Sequence, residues 1–423
     1  MTPSYGNLFR VFGRIGLLSF GGPAAQIALM EDELVTRKNW LTQDAFLRAL
    51  SFCMLLPGPE AMQLATYAGW RLRGTLGGVL AGLLFVLPGA LVIFALAILY
   101  LQYGSLPIVQ AAFLGVQATV ITIVVQALHR LSGKALKGGL AWALALGSFL
   151  AVFLLGTPFP LILLVAALIG AWRFGSDPVQ PAEPVPTKPT HPVALALWAL
   201  AWMAPIVLLW MMNAPFLTDI ALFFSRLAIV TFGGAYAVLA YMTQQVVGDF
   251  GWLTTEQMID ALGLAETTPG PLILVTQFVG TIAGAAEGGL AYGVLAGAIT
   301  LWVTFVPCFL WIFAGAPYLE RLTAAPRLAG ALKAITAAVV GVILNLSLWF
   351  ALHVVFKTVE SVSFGIAAIP VPDVTGLNPM ALGLIGLSAA LLLWRSLPMP
   401  LVLAMAAIAS IVLHSAMGLL AAT

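Results

Sequence analysis

Two short stretches, Pro57-Gly58-Pro59-Glu60 and Thr268-Pro269-Gly270-Pro271, place helix-breaking residues inside otherwise apolar sequence. Proline lacks an amide proton and clashes with the preceding turn, and glycine reaches dihedrals closed to other residues. Two further breaks stand at Gly21-Gly22-Pro23 and Gly233-Gly234-Ala235. In three of the four, proline follows glycine, the order that opens a helix rather than closing one; Ala235 in place of proline weakens the fourth. Unpaired amides and the positive end of the helix dipole then favour an anion, and glycine keeps side chains out of its way. The chemistry implied is reversible capture of an oxyanion. The plainer reading is that these are kinks for close helix packing.

Side chains that could complete an oxyanion shell follow within a turn or two. Gln26 lies after Pro23, Gln63 and Thr66 after Pro59, and Thr268, Thr276 and Gln277 surround Pro271. Neutral donors suit a doubly charged tetrahedral anion that must be released again, although each alone also serves as an ordinary interhelical hydrogen bond. Arg14 and Arg226 each precede a Phe-Gly-Gly by six residues. As guanidiniums they could fork onto two oxyanion oxygens, or snorkel to the membrane surface. Glu60 and Glu266 are the acids nearest the breaks. A buried carboxylate there has a raised pKa and could exchange a coupling proton; dipole complementation for Glu60 and N-capping for Glu266 are the bland alternatives.

The elements that must position these residues are membrane helices. Of 423 residues, 61% are hydrophobic and 8% charged, against a usual charged share of about 25% in soluble domains. Spans of about 20 apolar residues recur from end to end, leaving no room for a soluble catalytic domain. Backbone interrupted at membrane depth survives only where protein or a cavity surrounds it. Cys53 and Cys308 both lie in apolar runs and read as small core residues, with neither a disulfide nor a metal site expected.

The chain repeats itself. At an offset of 212, Phe12, Arg14, Ser19, Phe20, Gly21 and Gly22 fall on Phe224, Arg226, Thr231, Phe232, Gly233 and Gly234, Trp40-Leu41-Thr42 on Trp252-Leu253-Thr254, and Pro57-Gly58-Pro59 on Pro269-Gly270-Pro271. After small insertions, Gly78 to Gly82 match Gly293 to Gly297 at 215, and Pro88 matches Pro307 at 219. Glycines, prolines and tryptophans in one register indicate duplication. The expected organisation is a first transmembrane repeat over 1–173, a Pro-rich cytoplasmic linker over 174–192, an extra connecting helix over 193–212 and a second repeat over 213–423.

That extra helix should invert the second repeat, and loop charge is an independent test. Arg37, Lys38, Arg48, Arg71 and Arg73 flank the first-half breaks, whereas the matching second-half loops carry Asp249, Glu256, Asp260 and Glu287. The sign reverses. The fold expected is an all-α polytopic membrane protein of two inverted repeats, about six helical segments each, with broken helices at the midplane and roughly 10–13 membrane helices. Gln126 and Asn345 correspond as buried amides and read equally as glue or pathway lining.

At Phe20-Gly21-Gly22-Pro23, Leu56-Pro57-Gly58-Pro59-Glu60-Ala61-Met62-Gln63-Leu64-Ala65-Thr66-Tyr67, Phe232-Gly233-Gly234-Ala235-Tyr236 and Glu266-Thr267-Thr268-Pro269-Gly270-Pro271-Leu272, the sequence resembles the chromate ion transporter family in its long two-repeat form. The resemblance covers nearly the whole chain. It implies a multi-pass carrier of the bacterial inner membrane that exports chromate at the expense of the proton motive force, with sulfate as an isosteric competitor. The partners implied are the oxyanion, protons and the bilayer, without nucleic acid or cofactor, and a homodimer stays open. Sulfate uptake and a passive anion channel are alternatives built on the same breaks. A membrane-embedded reductase is disfavoured, because the sequence offers no metal cluster, nucleotide loop or cysteine pair.

Overall fold

The structure, a computed structural model, describes residues 3–173, 192–232, 235–319, 325–364 and 367–421. Gly233 and Gly234 and nearly all of the Pro-rich linker lie outside the described residues. Helices dominate, as an apolar chain requires when each backbone amide must find its partner within its own segment. Those of the first half are α1 (Tyr5–Leu18), α2 (Gly22–Glu31), α3 (Gln43–Cys53), α4 (Glu60–Tyr103), α5 (Pro107–Ala135), α6 (Gly139–Leu155) and α7 (Phe159–Arg173). After α8 (Pro192–Met211) come α9 (Pro215–Val230), α10 (Ala235–Thr243), α11 (Thr255–Thr267), α12 (Val275–Gly315), α13 (Pro326–Val355), α14 (Pro379–Ala389) and α15 (Met399–Ala421). Among the described residues, six continuous helical stretches are long and apolar enough to cross a membrane. The architecture is that of an all-α polytopic membrane protein.

Two of those stretches are helical hairpins. In α4, Arg73 (φ −143°, ψ 24°) and Gly74 (φ 67°, ψ −162°) leave helical geometry, and in α12 Gly288 (φ −142°, ψ 19°) and Gly289 (φ 80°, ψ −177°) do the same. The second pair lies 215 residues after the first, with nearly identical dihedrals. The chain turns back at each: a Cβ on Gly82 would stand 2.4 Å from Thr66 Oγ1, and one on Gly297 2.1 Å from Thr281 Oγ1. In a straight helix, residues 16 apart would be separated by about 24 Å. Small residues at 69, 77 and 78, and again at 284 and 293, let the two arms touch backbone to backbone. The first arm of α4, ending near Arg73, is about 20 Å long, and the second, ending at Tyr103, about 43 Å, enough to span alone.

The chain forms two compact units, each built from both halves of the sequence. The first comprises Met1–Ala97, Ala167–Val238 and Thr268–Leu332, and the second Ile98–Ala166, Leu239–Thr267 and Lys333–Thr423. In the first unit, α8 packs on α9 and α12: Trp198 stacks on Phe309 with ring centres 5.1 Å apart, Trp202 Nε1 donates to Ser225 Oγ at 3.1 Å, and Trp302 Nε1 to the Ala201 carbonyl at 2.8 Å. Three indole contacts thus anchor α8 on its neighbours.

In the second unit α5 is central and packs against α11, α14 and α15. Its contact positions are small. A Cβ on Gly115 would reach the Ala406 carbonyl at 2.2 Å, and Thr119 Oγ1 meets Ser388 Oγ at 2.8 Å. One element departs from an all-helical expectation: β1 (Val359–Phe364) and β2 (Ala367–Pro372) form an antiparallel hairpin, in register from Val359↔Pro372 to Phe364↔Ala367. Its alternation of apolar and polar residues is only six residues long, and Pro370 and Pro372 hid it. With α13, α6 and α10, the hairpin lines a cavity of about 350 Å³ bounded by Tyr241, Gln244, Asn345, Trp349, His353 and Glu360. Asn345 is therefore a cavity-lining amide.

Candidate functional site

The breaks lie where the sequence places them, and they open helices. Gly21 (φ 86°) caps α2 in the left-handed region, Gly22 (φ 77°) follows, and Pro23 sits in the first turn. Gly58 (φ 122°) and Pro59 precede the start of α4 at Glu60. Gly270 (φ 90°) and Pro271 lead into a short 3₁₀ turn, Leu272–Leu274, before α12. These positive φ values are why glycine is required at each site.

The breaks of the two halves are locked to each other. Gly58 N donates to the Thr231 carbonyl at 2.9 Å, and Gly270 N donates to the Ser19 carbonyl at 2.9 Å. Ser19 and Thr231 are repeat-equivalent, as are Gly58 and Gly270. The exchange of one half for the other maps each bond onto its twin, so this part of the first unit has approximate two-fold symmetry. Helix α1 runs into one lock at Ser19, whose hydroxyl bonds back to Ile15, and α9 runs into the other at Thr231, bonded back to Leu227.

The locks revise one expectation. The Gly58 and Gly270 amides are spent on protein carbonyls. What remains for an anion is the first turn of each helix that follows, whose amides have no partner four residues earlier. The side-chain donors are likewise committed. Gln26 Nε2 donates to the Gly270 carbonyl at 2.7 Å and the Ser19 carbonyl at 3.2 Å, Gln63 Nε2 to Pro57 at 2.7 Å, and Gln277 Nε2 to Ala90 at 2.9 Å. The three Oε1 atoms have no protein partner, and a bare carbonyl oxygen repels an anion. Thr66 and Thr276 bond back to Met62 and Ile273. Gln26 and Gln63 thus brace the broken backbone, and Gln277 ties α12 to α4. Gln26→Leu is therefore expected to lower stability by about 1–3 kcal/mol, the cost of stripping donors from buried carbonyls, and chemical unfolding in detergent measures it.

The charged candidates separate. Arg14 pairs with Glu33 at 3.3 Å, and Glu33, almost fully buried, also receives Arg37 Nη1 at 3.4 Å. Arg226 is exposed, and Gln245 occupies the position equivalent to Glu33, so that ion pair is not repeated. Glu60 opens α4 half-buried, whereas Glu266 is buried near the end of α11. The second-half break is buried throughout from Thr268 to Pro271, while Met54 to Pro57 of the first stay at least partly exposed. The site is symmetric in bonding and asymmetric in access. Asp260, counted with the loop charges above, is instead a buried residue in the middle of α11. Arg48, its equivalent, lies on a helix surface, and nothing in the sequence separates the two environments.

A family model described as "Chromate transporter" matches residues 6–171 and 218–412. The chain belongs to the chromate transporter family. The two matched regions bracket all four breaks of this chromate transporter family member. Similar proteins include the chromate transport protein of Pseudomonas aeruginosa, 36% identical over 80% of this chain and 79% of its own length. That of Cupriavidus metallidurans is 30% identical over 80% of both chains. The probable chromate transport protein of Synechococcus elongatus is 29% identical over 98% of this chain and 97% of its own. No solved structure matches.

Proposed function

We propose that this protein is a secondary active carrier that moves chromate out of the cytoplasm across the bacterial inner membrane, driven by protons, with sulfate as a competing dianion. The observation that carries the reading is the reciprocal locking of the two breaks, Gly58 to Thr231 and Gly270 to Ser19. It holds helix starts from both halves together in one unit, and interrupted helices at a repeat interface are where carriers bind their substrates. Helix-start amides and dipoles supply the anion's partners. They need no cationic side chain at the centre, which keeps affinity low enough for release. The relatives named as chromate transport proteins make chromate the first substrate to test. An inverted second repeat, as the loop charges indicate, presents equivalent breaks to opposite sides and so provides for alternating access.

Proteoliposomes holding the full chain, loaded or bathed with radiolabelled chromate under an imposed pH gradient, test this directly. Accumulation against the chromate gradient, abolished by a protonophore and reduced by sulfate more than by molybdate, is the expected result. Accumulation indifferent to the protonophore removes the coupling, and electrical currents without accumulation make the protein a channel.

A further inference from the structure

Asp260 is a buried carboxylate that the break geometry does not use. It is 8% exposed, at the middle of α11, the helix that runs directly into Thr268-Pro269-Gly270. Its Oδ2 accepts a hydrogen bond from the Tyr100 hydroxyl at 2.8 Å and its Oδ1 one from Gln117 Nε2 at 2.7 Å. All three residues belong to the second unit. Among the described residues, no lysine, arginine or histidine forms an ion pair with Asp260. The titratable groups that face it are Tyr100 and Glu256, the latter one turn earlier on α11, while α5 contributes the neutral Gln117.

A carboxylate removed from water without a cation is costly, and its cheapest relief is to take up a proton. The surroundings accept both states. A hydroxyl can donate or accept, so a proton on Oδ2 can turn toward the Tyr100 oxygen, with Tyr100 rotating its own hydrogen away, while Gln117 keeps its bond to Oδ1. Protonation thus needs one hydroxyl rotation and no repacking. The repeat shows that the fold does not demand an acid here: Arg48 holds the equivalent position in the first half and pairs with Asp44 at 2.7 Å. One half of the duplicated chain has acquired a carboxylate that the other lacks.

The geometry points to Asp260 as the residue that takes up and releases the coupling proton, with Tyr100 and Gln117 as its positioning residues. This rests on the proton-coupled reading above and deepens it by moving the proton site from Glu60 and Glu266 to Asp260, in the middle of α11. Glu60 stands partly buried at the start of α4, where the helix dipole favours the charged form. Asp260 has only neutral donors, so its charge is the one that a change of surroundings alters most.

Two assays on one proteoliposome preparation of the full chain test the assignment: chromate–chromate exchange at equal pH, and chromate accumulation under an imposed pH gradient. Asp260→Asn, a permanent mimic of the protonated form, should keep exchange within about threefold of wild type and lose gradient-driven accumulation by about tenfold or more, the mark of a lost driving term rather than lost binding. Tyr100→Phe should retain both activities and shift the pH of half-maximal accumulation. Accumulation by Asp260→Asn equal to wild type overturns the assignment and leaves the proposed function standing. Wild-type accumulation that ignores the pH gradient overturns both. Equal loss of exchange and accumulation in Asp260→Asn, with both restored by Asp260→Glu, marks a structural role and overturns it. If Asp260→Asn does not assemble, Tyr100→Phe decides, and an unchanged pH profile is the refuting result.

Discussion

A Gly270→Leu protein should insert in the membrane, lose several kcal/mol of stability and transport no measurable chromate. Gly270 sits at φ 90°, a region that costs an L-residue about 1–2 kcal/mol. A Cβ there would meet Leu274 Cδ1 at 3.1 Å, Gly89 Cα at 3.6 Å and the Phe85 carbonyl at 3.7 Å, so the rest of a leucine side chain has nowhere to go without pushing a backbone. Overpacking of that kind adds about 1–3 kcal/mol. Both backbone polar groups of Gly270 are also in use, its N–H on Ser19 and its carbonyl under Gln26 Nε2. Moving this residue therefore releases the lock and one of its braces together. Gly58→Leu should be nearly as damaging to transport and milder in stability, because a Cβ at Gly58 meets the ends of side chains, Gln63 Nε2 at 2.7 Å and Cys308 Sγ at 3.0 Å. Thermal unfolding in detergent, paired with vesicle uptake, separates the two effects. A Gly270→Leu protein with wild-type uptake would remove the break from the transport mechanism.

The breaks themselves were legible from residue types, because proline and glycine act on the backbone locally and their order states which way a helix runs. The repeat was legible for the same reason: residues with special backbone roles, such as Gly74 and Gly289, recur with the same dihedrals. What the sequence could not disclose was pairing. That the Gly58 amide goes to Thr231 and the Gly270 amide to Ser19 depends on how two distant segments meet, and it turns supposed anion donors into structural bonds. The roles of the glutamines stayed open for the same reason. A buried amide has a donor end and an acceptor end, and composition does not say which is spent. Arg14 read as an anion ligand because its partner, Glu33, lies outside any local motif, on the π-helical turn after α2. Asp260 read as a loop charge because its hydrogen-bonding neighbours, Tyr100 and Gln117, are more than a hundred residues away.

Alanine placed at two equivalent positions, Gly89 and Cys308, should have opposite consequences. Each follows a proline inside a long helix, Pro88 and Pro307, and each abuts the break contributed by the other half. Gly89 Cα lies against Gly270, and Cys308 Sγ lies against Gly58. At Gly89 even one methyl is too many, since its Cβ would fall 2.2 Å from the Pro269 carbonyl oxygen and 2.6 Å from Leu274 Cδ1. The carbonyl belongs to backbone that proline and the Ser19 lock hold in place, so it cannot yield as a flexible side chain would. Gly89→Ala should therefore open the break and reduce transport by about tenfold or more, an increase of about 1.4 kcal/mol or greater in the transport barrier. At Cys308 the same substitution removes a buried sulfur and leaves a small cavity, at a cost of about 1 kcal/mol. Cys308→Ala should transport within about threefold of wild type. Because Gly89→Ala and Gly270→Leu disturb one contact, combining them should add little to the more damaging single change, as neighbouring sites are not additive. Uptake measured for the two alanine proteins and the double mutant tests whether the lock between the halves, rather than either break alone, is what transport requires.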